Sequence, residues 1–201
     1  MTTNQTLGHW GQRSGERCEY LALSFSPLSA PLRSRWRNNG VSADFLGDYV
    51  TTFLPTDGAV AGRNQGEIRH AVTYIANELL ENAMKYHKRD VDIPIGIRLE
   101  LTSDYITVRA SNGIDPAQEK RYKAFVEDIL HEDAGELLLK QLEVSSAGLG
   151  SNVSCTGLLT MISDYRAQLG WRFEAHTEYS EVMTVTTSAV LPLKNLEGAP
   201  A

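Results

Sequence analysis

Asn77-Glu78-Leu79-Leu80-Glu81-Asn82-Ala83-Met84-Lys85-Tyr86 is the stretch from which the rest of the chain is read. It lies in a longer segment, 67–87, where Ile68, Val72, Ile75, Leu79, Ala83 and Tyr86 recur at the 3.6-residue period of an amphipathic helix. That face predicts burial. Glu78, Asn82 and Lys85 stand at i, i+4 and i+7, so one polar stripe carries a carboxylate, a carboxamide and an ammonium. At about 100° per residue, Glu78 and Asn82 flank the buried face, where a polar group lines a cleft. By spacing alone a solvated helix face explains them better than a site does, and the surrounding chain has to decide.

Downstream, Ile93, Ile95, Ile97, Leu99 and Leu101 alternate, and Ile106, Val108 and Ala110 resume after Thr102-Ser103-Asp104, which predicts two antiparallel strands. Ser111-Asn112-Gly113 ends the second strand. Asp115 then caps a helix, with Pro116 at its first position and Tyr122, Phe125, Val126 and Ile129 on one apolar face. A short helix over 135–142 follows. Residues 144–157 form a small-residue loop containing Gly148, Gly150 and Gly157, and it opens onto a helix with Leu158, Ile162, Tyr165 and Leu169 inward, ending at Gly170. Strands over 171–175 and 181–191 complete the pattern.

Upstream, Leu21, Leu23 and Phe25 alternate in a strand over 20–25. A helix over 28–38 is stopped by Asn39-Gly40, and a second begins at Ser42, with Phe45, Tyr49, Val50 and Phe53 on one face and Pro55 closing it. The loop with Gly58, Gly62 and Gly66 lacks the Gly-Lys-Ser/Thr ending of a phosphate loop and reads as a connector. Residues 1–17 read as a disordered polar arm, 18–194 as one domain and 195–201 as a flexible tail. The order predicts a two-layer α/β sandwich, a mixed and mostly antiparallel sheet covered on one face by helices.

Composition narrows the function. The 201 residues carry 19 basic and 25 acidic side chains, a net −6, which argues against a general nucleic-acid binder. No apolar run is long enough to span a bilayer, the N-terminus shows no signal core, and Cys18 and Cys155 form no CxxC pair. A cytoplasmic protein is expected, without nucleic-acid or membrane partners.

Glu78, then Asn82 and Ala83, then Lys85 and Tyr86 resemble the N-box of the GHKL ATPase superfamily, the group of gyrase, MutL, sensor histidine kinases and anti-sigma-factor serine kinases. The resemblance implies a Bergerat-type ATP-binding fold. It assigns Glu78 to catalysis as base or orienter of the acceptor hydroxyl and Asn82 to Mg²⁺. Lys85 and Tyr86 would contact phosphates or ribose. Such convergence suits phosphoryl transfer, which consists mainly of positioning and charge neutralisation.

Two glycine boxes accompany the N-box in that superfamily, and both have altered counterparts here. Ser111-Asn112-Gly113 stands where Asp-x-Gly reads the adenine, with Ser111 and Gly113 placed near the base. Gly148-Leu149-Gly150 precedes its helix by an insertion, and the loop to Gly157 would lie over the phosphates.

The segments 43–46, 77–83, 160–165 and 169–173 further resemble a bacterial regulatory branch containing SiaB-like protein kinases. Its members imply ATP and Mg²⁺ as cofactors and a small STAS-like protein as the substrate, phosphorylated on Ser or Thr in a partner-switching pathway. A homodimer is left open. The competing expectation is a non-catalytic switch that sequesters the same partner through a degenerate nucleotide site. The intact Glu78 favours the kinase, and Ser111 with the interrupted loop favours the switch. His70 and His87 read as surface or helix-end residues, and Trp36 and Trp171 as packing anchors.

Overall fold

A computed structural model describes residues 4–11, 18–27, 32–55, 64–88, 91–137, 139, 156–179 and 181–193. Six strands form one antiparallel sheet: β1 (Gln5–Gly8), β2 (Glu19–Phe25), β3 (Ile95–Leu101), β4 (Tyr105–Ile114), β5 (Gln168–Ala175) and β6 (Met183–Pro192), in the order β1-β5-β6-β4-β3-β2. Its helices are α1 (Leu32–Thr51), α2 (Gln65–Tyr86), α3 (Glu119–His131) and α4 (Thr156–Ser163). The architecture is a two-layer α/β sandwich.

The pleat explains the layering. On β3, Ile95, Ile97 and Leu99 are buried toward the helices, and Gly96, Arg98 and Glu100 alternate onto the other face. On α2, Ile68, Val72, Ile75, Leu79 and Ala83 are buried as their period requires. Trp171 and Phe173 of β5 are the largest fully buried side chains. Each such side chain contributes about 1.5–3 kcal/mol by leaving water. At the start of α2, Asn64 Oδ1 accepts from Glu67 N at 2.9 Å and Asn64 N donates to Glu67 Oε2 at 2.8 Å, a complete capping box.

Three expectations are corrected. Part of the supposed arm is a strand: Gln5–Gly8 pairs with Gly170–Phe173 of β5. Asn39-Gly40 does not divide two helices, because α1 runs unbroken from Leu32 to Thr51. Ala43, Leu46 and Val50 are fully buried, and α1 packs along α2. That burial overrides a mid-helix glycine worth about 1 kcal/mol.

The last helix stops at Ser163 rather than Gly170, and Leu169-Gly170 belongs to β5. Arg166, at φ 54°, turns the chain between them. The Asp115 cap is as expected, accepting from Ala117 N at 2.9 Å, with a 3₁₀ turn before α3. A helical turn follows at 134–137, and the rest of the helix expected to 142 lies outside the described residues.

Candidate functional site

The polar stripe of α2 faces α4. Tyr74 hydrogen-bonds Thr160, and its ring stacks on Tyr165 with centroids 5.1 Å apart. The Tyr165 hydroxyl lies 3.1 Å from His70 Nδ1. One turn further along α2, the Glu78 carboxylate lies against Gly157, so closely that a Cβ there would overlap Oε2. A side chain at 157 would require the Glu78 carboxylate to swing away. Along these contacts, Tyr165, Thr160 and Gly157 meet successively later residues of α2, so α4 runs antiparallel to it. The positive N-terminal end of α4 accordingly points toward the half of α2 that carries Asn82 and Lys85.

Glu78 is half-buried, and burial raises its pKa, with the charge of Glu81 adding to the shift. Asn77 Nδ2 donates to Glu81 Oε1 at 2.9 Å, which fixes that second carboxylate on the helix surface. Asn82 is half-buried on the stripe, and Lys85 is exposed. Glu78 is thus brought to the start of α4, against Gly157, with Asn82 one turn further along α2.

Other expected residues are placed elsewhere. The Tyr86 ring packs edge-on against Tyr122 at 5.5 Å, and Lys85 Nζ lies 5.3 Å from the Tyr86 ring centroid. Tyr122 is itself packed on Phe173 and hydrogen-bonds Thr187, and burial pushes its pKa up to about 12. Tyr86 therefore belongs to an aromatic cluster of the core. Ser111 pairs with Gly96 and directs its hydroxyl over that glycine, on the same face as Arg98. The sheet separates it from Glu78. Gly113 faces Ile93 and Val182, and its carbonyl accepts from Lys88 N at 2.7 Å, which ties the end of α2 to β4. Gly148 and Gly150 lie outside the described residues.

The residue overlooked in the sequence is Asn112. It is 5% exposed, on the helix side of β4, and its Nδ2 has no hydrogen-bond partner. A buried amide left in that state is costly unless a ligand or water completes it. The signal was present: Ile106, Val108 and Ala110 point inward, so a strand continued two residues further points Asn112 inward and Ser111 outward. Among the described residues, no group of three or more His, Cys, Asp or Glu is placed to hold a metal by itself, and no helix is long and apolar enough to cross a membrane.

No family model matches the chain, and no curated protein matches it. Among solved structures, it is similar to a chain in the crystal structure of the SiaB–SiaC complex from Pseudomonas aeruginosa, with a TM-score of 0.55 and 15% identity. The match covers 85% of this chain and 89% of that one. At this identity the likeness establishes a shared fold.

Proposed function

We propose that this chain is a bacterial partner-switching regulator with a GHKL-type ATP site, and that it phosphorylates a small STAS-like protein on Ser or Thr. The observation that carries the reading is the Glu78 carboxylate at the N-terminus of α4, with Asn82 one turn further on. A helix N-terminus suits phosphate. The site's chemistry fits a magnesium nucleotide: a carboxamide for the cation, donors for phosphate, and the unpartnered Asn112 amide on the same side of the sheet.

Asn82 would hold Mg²⁺, Lys85 would neutralise phosphate charge, and the first turn of α4 at Gly157 would receive phosphate oxygens. Asn112 takes over the inward position that Ser111 does not occupy. Magnesium ATP supplies the transferable phosphoryl group. Glu78, held at a raised pKa by burial, orients the acceptor hydroxyl and accepts its proton. The fold shared with a chain of a complex between SiaB and SiaC supports assembly with a small regulatory protein.

The second reading, a switch without catalysis, draws on Ser111 facing away and on Glu78 itself occupying the anion-binding end of α4. Calorimetry with magnesium ATP, followed by phosphotransfer to a STAS-like acceptor from the same genome, separates the two. The kinase reading expects binding in the wild type and loss of transfer, with binding retained, in Glu78→Gln. Binding without transfer in the wild type would select the switch. No binding at millimolar ATP overturns the kinase reading.

A further inference from the structure

The opposite face of the sheet carries a second cavity, of about 780 Å³, lined by Gly8, His9, Trp10, Arg98, Arg109 and Arg172 among others. Two left-handed glycines build it. Gly8 at φ 70° and Gly11 at φ 68° bracket His9-Trp10 and turn that segment over the sheet. His9 N donates to Leu169 O at 2.8 Å, and Trp10 O accepts from Arg109 at 3.2 Å.

The pleat then aligns Gly170, Ser188, Arg109 and Arg98 in one cross-sheet row, with Arg172 in the next. Gly170, without a side chain, leaves room for the His9 backbone that lies directly over it. Each arginine lies over an aromatic ring. Arg98 is 4.1 Å from the Tyr20 centroid, and Arg172 and Arg109 are 4.0 and 5.3 Å from that of Trp10. A stacked guanidinium keeps its edge free for oxyanions.

Charge is unbalanced here. Among the described residues, Glu100 is the one carboxylate lining the cavity, and it pairs with Arg98 at 2.6 Å and with Arg109. Arg172 has no acidic partner among the described residues. Three guanidinium groups against one carboxylate leave two positive charges in a concave site of a chain whose net charge is −6. We infer that this open-face cavity binds a phosphate-bearing small molecule of nucleotide size, through the guanidinium edges of Arg98 and Arg172. The volume is that of a small-ligand pocket, and a net charge of +2 among the described lining residues matches a dianionic phosphate better than a monocarboxylate.

Calorimetry with inorganic pyrophosphate, without magnesium and at low salt, tests this on the full chain. Saturable binding is expected, at least about tenfold weaker in Arg172→Gln and absent in Arg98→Gln/Arg172→Gln. Pyrophosphate binding lost in Lys85→Gln and kept in Arg172→Gln would place the ligand at the proposed nucleotide site and overturn the inference. Malonate should bind at least about tenfold more weakly than pyrophosphate. Wild-type affinity in the folded double variant would overturn the inference, as would no saturation by about 10 mM or equal affinity for malonate. Circular dichroism establishes folding, and Arg172→Gln leaves both Glu100 pairs intact.

Discussion

The two faces of the sheet carry one carboxylate each at the centre of their polar chemistry, and the two are treated in opposite ways. Glu78, on the helix side, lies against Gly157, and its pKa is raised by burial and further by the charge of Glu81. Glu100, on the open side, is also pushed upward by burial, but hydrogen bonds and charge from Arg98 and Arg109 outweigh this and hold it below its ordinary value. A pleated strand thus builds two environments from alternate residues. The covered face holds a carboxylate ready to accept a proton, and the open face holds one committed to balancing cations.

The largest test of the comparison sets neighbouring residues of β3 against each other. Ile97→Ala removes a fully buried side chain between sheet and helices, and a loss of about 2–5 kcal/mol is expected from the urea midpoint at unchanged slope. Arg98→Ala, one residue on, sits on the open face and should lose no more than about 1 kcal/mol. Equal losses would mean that the open face is part of the core.

Gly157→Ala probes the helix side more locally. The added Cβ would overlap the Glu78 carboxylate, so α4 must shift or Glu78 must leave, at an expected cost of about 1–3 kcal/mol. Combining it with Glu78→Ala should recover much of that loss, because the two side chains compete for one space. Simple additivity in thermal melts would show that Glu78 does not dwell at the start of α4.

Much of this was legible in the chain. The period through Ile68, Val72, Ile75 and Leu79 and the alternation through Ile95, Ile97 and Leu99 are local patterns that burial enforces, and they predicted α2, β3 and the layering. Glu78 and Asn82 follow from helix geometry alone.

What failed depended on contacts distant in sequence. Gln5–Gly8 has a strand partner 162 to 168 residues away, at Gly170–Phe173. Asn39-Gly40 reads as a stop until α1 is laid along α2. Ser111 was placed by motif position, whereas the continued pleat of β4 faces Asn112 toward the helices. The arginine cavity joins residues 8–11, 98–109 and 172, and no local spacing unites them.

The smallest test has opposite signs on the two faces. Glu100 has a folded pKa below its ordinary 4.5, so its stabilisation is full above the unfolded value and is lost as pH falls through the depressed one. Glu78 has a folded pKa above its ordinary 4.5, so its contribution is full below that value and is lost as pH rises through the raised one. Glutamine imitates the protonated form at either position. At neutral pH, Glu100→Gln should therefore be less stable than the wild type and Glu78→Gln slightly more stable, and both differences should shrink toward zero on acidification. Solvent screening keeps each within about 1 kcal/mol, so the sign of the stability difference across pH 3–7 is what the urea titrations read. The groups facing Glu78 are Glu81 and Tyr74, and those facing Glu100 are Arg98 and Arg109. If Glu78→Gln is destabilising at neutral pH, the ionised carboxylate is being held by a donor at the start of α4, and the two faces are alike in neutralising their acids.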